Sequence, residues 1–346
     1  MKRFIVDLFL IKAMKQALFW KQKNSKAQCK LCPRNCIIEP NNWGFCRARK
    51  NINGKLQSMV YAKAIAANID PIEKKPLYHV LPKSKSFSVG TAGCNLRCAW
   101  CQNWQSSQSR PDQLHSIDLP PEKIIKNAKQ NNCKSIAYTY TEPFVFYEYM
   151  KDTAELAQKQ NVKNVAVSNG FIEQEPIKEA SKFLDAVNID LKSFDDKTYR
   201  KHTTAWLQPV LDTLKTLKQN NVWVEITNLI IPDVNDDFEM IEKMILWIKE
   251  NLGAKTPLHF SAFYPSYKMS DKKPTPIETV KKARKLAINK GMKFVYTGNI
   301  LDDEGSTTFC PACKKLVIKR HGFNIAENKL KEGKCSCGEK IPGIWR

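Results

Sequence analysis

The spacing of the cysteines constrains this chain more than any other sequence feature. Twelve cysteines occur in 346 residues. Eleven of them form three groups, which are Cys29, Cys32, Cys36 and Cys46; Cys94, Cys98 and Cys101; and Cys310, Cys313, Cys335 and Cys337. Disulfide frameworks serve small secreted domains that lack a core, whereas a chain of this length can bury one. The close CxxC and CxC pairs therefore predict metal sites, and Cys133 is predicted to be a buried structural thiol before a strand.

Two of the groups supply four thiolates each, enough to close a tetrahedral metal site. The C-terminal group, Cys310 to Cys337, predicts a zinc-ribbon-like module with a short hairpin between its two pairs. Sulfur-only sites also bind iron–sulfur clusters, so an additional cluster is the alternative there. The N-terminal group, Cys29 to Cys46, fits zinc or iron–sulfur equally well. The sequence leaves the metal open at both ends of the chain.

The middle group offers only three thiolates, in CxxxCxxC spacing. Three thiolates neither close a tetrahedral zinc site nor fill all four irons of a 4Fe–4S cluster. A ligand from outside the group must complete the site, and an open metal position is where chemistry takes place. Cys94, Cys98 and Cys101 are therefore the predicted catalytic centre.

Strands and helices alternate around and after the middle group. The predicted strands are residues 87–91, 135–139, 162–168, 186–191, 222–231, 258–262 and 293–296, with helical segments between them. Such alternation predicts parallel βα units. The predicted fold is α/β, a partial (β/α)6 barrel over residues 81–300. Residues 1–80 are predicted to hold a helix and the first four-cysteine segment, and residues 301–346 the C-terminal ribbon.

In such barrels, functional groups gather at the carboxyl ends of the strands. The candidates on these strands and just after them are Thr141, Glu142, Ser168, Asn169, Asp190, Lys192, Glu225, Thr227 and His259. Alternation puts Asp190 and Lys192 on one face of their strand, and Glu225 and Thr227 on one face of the next. A strand-end salt bridge is the plainer interpretation of the first pair. A lone histidine such as His259 is usually structural.

The three-cysteine loop resembles the radical S-adenosylmethionine (SAM) superfamily, in which three cysteines hold a 4Fe–4S cluster whose fourth iron binds SAM. The resemblance implies reductive cleavage of SAM to methionine and a 5′-deoxyadenosyl radical, which abstracts hydrogen from a substrate. It implies that Trp100, which precedes the third cysteine, lies beside the adenine. It also implies that Glu142 and its turn hold the SAM amino group, although Tyr140 and Thr141 replace two glycines of the family motif.

Two further resemblances narrow the family. Asp190 and Lys192 are similar to the DxK element of glycyl-radical-enzyme activases. Over residues 29–345 the chain resembles the radical SAM member of the AmmeMemoRadiSam group, which implies Memo-like and AMMECR-like partners. The segments that carry this resemblance are residues 70–79, 101–104, 140–143, 263–267 and 297–299 with the final ribbon. Asn299 is included among the cofactor-binding candidates on this basis.

Charge and hydropathy limit the partners and the compartment. Fifty-six Lys and Arg against 34 Asp and Glu give a net charge of +22, which favours an anionic partner or a solvated lysine-rich surface. No apolar run approaches the roughly 20 residues that span a bilayer, so no membrane partner is expected and a cytoplasmic location is predicted. Apolar residues at 4, 5, 8, 9, 11 and 17–20 predict an amphipathic helix packed on the body.

Three functions stay open at the level of sequence. The first is a radical SAM enzyme that takes hydrogen from a protein or peptide, as glycyl-radical-enzyme activases do. The second is radical SAM modification of an RNA such as tRNA, in which the positive charge would bind phosphates. The third is a non-catalytic zinc scaffold. Both radical reactions need a low-potential electron, so a flavodoxin or ferredoxin is the expected donor.

Overall fold

A computed structural model describes residues 15–346 of the chain. The predicted N-terminal helix lies largely in residues 1–14, outside the described residues. Its remaining part is not helical, because Lys15–Gln16 and Trp20–Lys23 are strands. The backbone N–H of Ala17 donates to Leu56 O at 2.9 Å, so pairing with a neighbouring strand overrides the helical periodicity of this segment.

An eight-stranded sheet forms the centre of the protein. Its strands are β1 (Ala66–Pro71), β2 (Lys85–Gly90), β3 (Cys133–Tyr138), β4 (Lys163–Ser168), β5 (Ala186–Asp190), β6 (Trp223–Ile230), β7 (Leu258–Ala262) and β8 (Val295–Gly298). Strands β2 to β8 are parallel and neighbour one another in chain order, and β1 pairs antiparallel with β2 at one edge. Within the described residues the two edge strands do not pair, so the sheet stays open. The predicted partial barrel is confirmed.

Each connection between consecutive parallel strands carries at least one helix. The longer helices are α1 (Pro121–Gln130), α2 (Tyr147–Lys159), α3 (Gln174–Ala180), α4 (Asp196–Thr203), α5 (Gln208–Gln219), α6 (Phe238–Leu252) and α7 (Ile277–Asn289). Helices α4 and α5 share the connection between β5 and β6. The strands β2 to β7 and the helices that follow them form the six predicted βα units. Strand β8 follows as a seventh parallel strand.

The sheet and helices pack because their apolar residues follow the expected periods. All five residues of β7 are buried, as in parallel strands covered on both faces. Helix α6 buries residues at helical spacing, namely Met240, Ile241, Met244, Ile245, Ile248 and Leu252. The side chain of Asp237 accepts a hydrogen bond from Glu239 N and caps the start of this helix. The resulting core holds the carboxyl ends of the strands in fixed positions.

Small strand modules flank the sheet at both ends of the chain. On the N-terminal side, Lys15–Gln16, Arg49–Ile52 and Lys55–Ser58 form one sheet, and Trp20–Lys23, Lys26–Cys29 and Ile37–Ile38 form another. On the C-terminal side, Thr308–Phe309, Leu316–His321 and Asn324–Asn328 form a third sheet, which includes the predicted hairpin. Cys133 is buried at the start of β3, as predicted. None of the described helices is long and apolar enough to cross a membrane.

Candidate active site

The three-cysteine loop follows β2 and is tied to two other parts of the chain. Cys94 N donates to Cys46 O at 3.1 Å, which joins the loop to the N-terminal four-cysteine segment. On its other side, Arg97 N donates to Thr203 O at 2.8 Å, at the end of α4. Gly93 has a φ of +93°, and a Cβ there would lie 2.3 Å from Cys46 O. Only glycine permits this close approach of the two cysteine segments.

The thiols of the loop converge but do not crowd together. Cys101 Sγ lies 3.2 Å from Ser107 Oγ, and Asn169 Nδ2 lies 3.7 Å from Cys94 Sγ. Among the described residues, only the C-terminal group brings three or more potential ligand atoms within 4.8 Å of one another. The three loop thiols therefore do not all lie within 4.8 Å of one another. This spread fits a cluster in which each thiolate binds a different iron.

Burial of Cys98 disfavours a free thiolate, so a bound cation is needed to hold this thiol ionised. Burial raises the pKa of Cys98 to about 12, while the charge of Lys192 lowers it. Lys192 Nζ lies 2.9 Å from Asp190 Oδ2. Burial lowers the pKa of Lys192, but Asp190 and Cys98 more than offset this, so the pKa lies above its usual range. The structure therefore brings the predicted Asp190 and Lys192 pair together beside the cysteine loop.

Glu142 is a buried carboxylate at the carboxyl end of β3. Its Oε1 accepts from Ser168 Oγ at 2.8 Å and from Phe144 N at 3.2 Å, and its Oε2 accepts from Asn169 N at 2.8 Å. Burial raises its pKa to about 7, although these hydrogen bonds lower it. No cation contacts it among the described residues. A bound ammonium group would supply the missing positive charge.

Asn169 links this carboxylate to the cysteine loop. Its side-chain Nδ2 donates to Asn95 Oδ1 at 2.9 Å as well as approaching Cys94 Sγ. Asn95 Nδ2 in turn donates to Phe171 O at 2.7 Å. Sequence reasoning missed Asn95 and Ser107. Asn95 could have been suspected from its place inside the CxxxCxxC loop, but the contact of Ser107 depends on the turn that follows.

The remaining candidates at this end of the sheet have less direct contacts with the loop. Trp100 is buried, with its ring centre 6.3 Å from that of His202. Thr141 Oγ1 donates to Thr91 O at 2.8 Å. Thr227 Oγ1 donates to Asn188 Oδ1 at 2.9 Å, and Asn299 Nδ2 donates to Ala262 O at 3.0 Å. Their assignment to cofactor binding stays a prediction.

Glu225 and His259 lie nearer the amino ends of their strands, in a separate network. Glu225 accepts from His259 Nε2 at 2.7 Å, from Tyr78 N at 3.0 Å and from His79 N at 2.8 Å. Burial alone would raise the pKa of Glu225, yet His259 and His79 hold it below its usual value. These polar atoms anchor the 78–79 segment. No hydrogen bond in the described residues joins them to the three-cysteine loop.

The two four-cysteine groups differ in geometry. All four thiols of the C-terminal group lie within 4.8 Å of one another, including 3.6 Å from Cys310 to Cys337 and 3.7 Å from Cys313 to Cys335. Such spacing suits one tetrahedrally bound ion. The N-terminal thiols do not meet this condition, and they line a cavity together with Arg49 and Asn95.

Comparison with known proteins agrees with the site. The model of the radical SAM superfamily matches residues 88–248. An uncharacterized protein of Methanocaldococcus jannaschii is 46% identical over 332 residues, covering 95% of this chain and 99% of its own. A GTP 3′,8-cyclase of Clostridium perfringens is 25% identical over 67% of this chain and 76% of its own. A pyruvate formate-lyase-activating enzyme of Clostridium pasteurianum is 24% identical over 58% of this chain and 87% of its own.

The chain contains a radical SAM superfamily domain over residues 88–248, and this domain together with the similarity to activating enzymes shows an enzyme. The family implies a 4Fe–4S cluster and SAM, and the spread of the loop thiols fits such a cluster. When bound, these groups supply a one-electron route to a carbon radical. The alternative prediction of a non-catalytic zinc scaffold is wrong, because the radical SAM domain marks the chain as an enzyme.

Proposed function

We propose that the chain cleaves SAM reductively at Cys94, Cys98 and Cys101 and uses the resulting radical to take a hydrogen atom from a protein. The observation that carries the proposal is the convergence of these cysteines with Glu142, Asn169 and the Asp190–Lys192 pair at one end of the sheet. Cys94 is tied to Asn169, and Asn169 to Glu142, by the hydrogen bonds described above. The similarity to a pyruvate formate-lyase-activating enzyme supports a protein substrate.

In this proposal, the chain's own residues bind and orient SAM. Cys94, Cys98 and Cys101 would hold a 4Fe–4S cluster, which would supply an open position for SAM. Glu142, uncompensated by any cation in the described residues, accepts from the amino group. Asp190 and Lys192 offer opposite charges to the ribose and carboxylate.

The rim of the site has exposed aromatic rings that suit a large substrate. Trp104, 39% exposed, stacks on Tyr267 with ring centres 5.2 Å apart and planes at 13°. Ser266 Oγ donates to Cys101 O at 3.3 Å, which places this rim beside the cysteine loop. Tyr264 is exposed and its hydroxyl donates to Asn299 O at 3.0 Å. Segments 101–104, 263–267 and 297–299 therefore meet at one surface.

This meeting supports the finer proposal of an AmmeMemoRadiSam-type enzyme with Memo-like or AMMECR-like protein partners. Those three segments are among the ones that carry the resemblance, although they lie far apart in sequence. A flavodoxin or ferredoxin is the proposed donor. The cytoplasmic location remains a prediction.

RNA modification is the second candidate, favoured by the same rim. Lys268 Nζ lies 5.6 Å from the centre of the Tyr267 ring, and the net charge is +22. A stacked ring pair that is partly exposed and lies beside a lysine can stack bases and bind phosphates.

Deuterium transfer distinguishes the two candidates. The anaerobically reconstituted enzyme is given SAM, a reductant and either deuterated Memo-like or AMMECR-like protein or deuterated tRNA. We expect deuterium in 5′-deoxyadenosine with the protein and none with the tRNA. Transfer from tRNA alone would replace the protein proposal, and no 5′-deoxyadenosine with either substrate would refute SAM cleavage.

A further inference from the structure

We propose that Cys29, Cys32, Cys36 and Cys46 bind a second iron–sulfur cluster, which passes electrons to the cluster of the three-cysteine loop. The relay part rests on the proposed function, whereas the identity of the metal does not. The N-terminal and C-terminal groups supply the same four thiolates, so the number and type of ligands cannot decide between zinc and iron. Geometry, burial and contacts separate them.

The spacing of the N-terminal thiols is the first argument. A single zinc ion binds sulfur at about 2.3 Å, which brings four thiolates close together. The C-terminal thiols already show this closeness, whereas no three of the N-terminal thiols lie within 4.8 Å of one another. They surround a cavity with about 20 Å³ of free space. That space is smaller than a cluster, so loading requires the side chains to move apart, but all four cysteines line the same cavity.

The surroundings of the N-terminal thiols are the second argument. Arg49 is fully buried, and its Nη1 lies 3.7 Å from Cys29 Sγ while its Nη2 lies 2.5 Å from Glu148 Oε1. A buried guanidinium stabilises the negative charge that a thiolate-bound cluster gains on reduction. In the C-terminal group, by contrast, Cys337 is exposed. A zinc ion, which has no redox chemistry, tolerates such exposure.

The contact between the two cysteine segments is the third argument. Cys46 O accepts the hydrogen bond from Cys94 N, so a ligand of one group touches a ligand of the other through the backbone. Arg34 Nε donates to Asn95 O at 2.6 Å, inside the three-cysteine loop. The guanidinium of Arg34 also lies 3.6 Å from the centre of the Phe45 ring, next to Cys46 in sequence. These contacts place the N-terminal group against the catalytic loop.

The electron count of the relay is balanced. One electron from a reduced ferredoxin or flavodoxin takes the N-terminal cluster from the 2+ to the 1+ state and oxidises the donor by one electron. Transfer of that electron to the loop cluster returns the N-terminal cluster to 2+. No bond forms or breaks in the relay, and no other co-reactant is needed.

Metal analysis of a variant without the loop cysteines tests the identity of the site. In the full chain carrying Cys94→Ala, Cys98→Ala and Cys101→Ala, we expect about four iron and four sulfide after anaerobic reconstitution. Adding Cys29→Ser and Cys32→Ser should remove that iron. A Cys133→Ala chain, which alters no group, is the control. If the loop variant retains its far-ultraviolet circular dichroism but binds no iron and two zinc ions, the cluster proposal is overturned.

The relay is tested with two reductants. The Cys29→Ser, Cys32→Ser chain keeps the three loop cysteines. With reduced ferredoxin, we expect its rate of 5′-deoxyadenosine formation to fall at least tenfold relative to the unaltered chain. With titanium(III) citrate, a small reductant that can reach the loop directly, we expect less than a twofold fall. Equal losses with both reductants, or no loss with either, would overturn the relay. Failure of the unaltered chain with both would refute SAM cleavage, and the iron count would still decide the metal.

Discussion

The two ends of the parallel sheet each hold a buried glutamate, and the two glutamates differ in charge balance. Glu142, at the carboxyl end, accepts three hydrogen bonds from neutral groups, and burial raises its pKa to about 7. Glu225, nearer the amino end, faces two histidines and has a lowered pKa despite its burial, because of His259 and His79. The comparison shows that hydrogen bonds from His259 and from the 78–79 backbone hold Glu225 within the protein. Glu142, at the other end, has no positively charged partner among the described residues.

Matched cysteine substitutions give the largest expected contrast between the two ends. Cys98→Ala removes one of three thiolates at the carboxyl end, and we expect 5′-deoxyadenosine formation to fall more than 100-fold because the cluster loses a ligand. Cys133→Ala, at the amino end of β3, removes an equally buried thiol. It should cost about 1 kcal/mol of unfolding free energy and leave the rate within twofold. Product assays at equal protein concentration check this pair, and a Cys98→Ala chain with full activity would contradict the site.

Replacing the two glutamates by glutamine sharpens the comparison. Glu142→Gln should weaken SAM binding about 10- to 100-fold, the value of a charge-assisted hydrogen bond, with little loss of stability. Glu225→Gln leaves buried partners without their anion and should lower the unfolding free energy by about 3 kcal/mol. Equilibrium dialysis with labelled SAM and urea unfolding measure the two effects. If Glu225→Gln weakens SAM binding as much as Glu142→Gln at unchanged stability, the two ends do not differ as described.

The pH dependence of stability provides a smaller contrast. Burial lowers the pKa of His79 to about 4 from 6.5, so its contribution to stability is lost as the pH falls from 6.5 towards 4. The pKa of Glu142 is raised from 4.5 to about 7, so its contribution is full below pH 4.5 and lost as the pH rises towards 7. Each contribution changes by about 2 kcal/mol between pH 5 and pH 7, in opposite directions.

Two variants separate these opposing pH dependences of the unfolding free energy. Without SAM, Glu142→Gln should be about 2 kcal/mol less stable at pH 5 than at pH 7, and His79→Asn about 2 kcal/mol more stable at pH 5. The unaltered chain should change little. Urea unfolding at both pH values measures this, and parallel profiles for the two variants would show that neither group titrates as stated.

The regular part of the fold could be predicted because its signals are local. The strand predicted at 258–262 is Leu258–Ala262, and the helical segment predicted between the strands at 222–231 and 258–262 contains α6, Phe238–Leu252. Strand β1, Ala66–Pro71, was not predicted, because its sequence does not alternate between apolar and polar residues and its two central residues, Asn68 and Ile69, are exposed. Its place at the edge depends on pairing with β2.

The candidate site could be predicted only where a motif marked it. The cysteine spacing predicts the three-cysteine loop as the catalytic centre, and Glu142 becomes a candidate because it lies shortly after the end of β3. The common face of Glu225 and Thr227 was a correct inference from strand alternation, but alternation does not tell which end of a strand faces the loop. The partners of Glu225 include Tyr78, 147 residues away in sequence. Contacts at that separation have no local signal.

Electron paramagnetic resonance of the anaerobically reconstituted, reduced protein tests the central claim most directly. The Cys29→Ser, Cys32→Ser chain isolates the loop cluster, and titanium(III) citrate reduces it without a protein donor. We predict an S = 1/2 signal from the reduced cluster. This signal should change on addition of SAM and should be absent from the Cys98→Ala variant of the same chain. A chain that holds iron and shows the same signal with and without SAM would contradict the claim that the three-cysteine loop binds SAM.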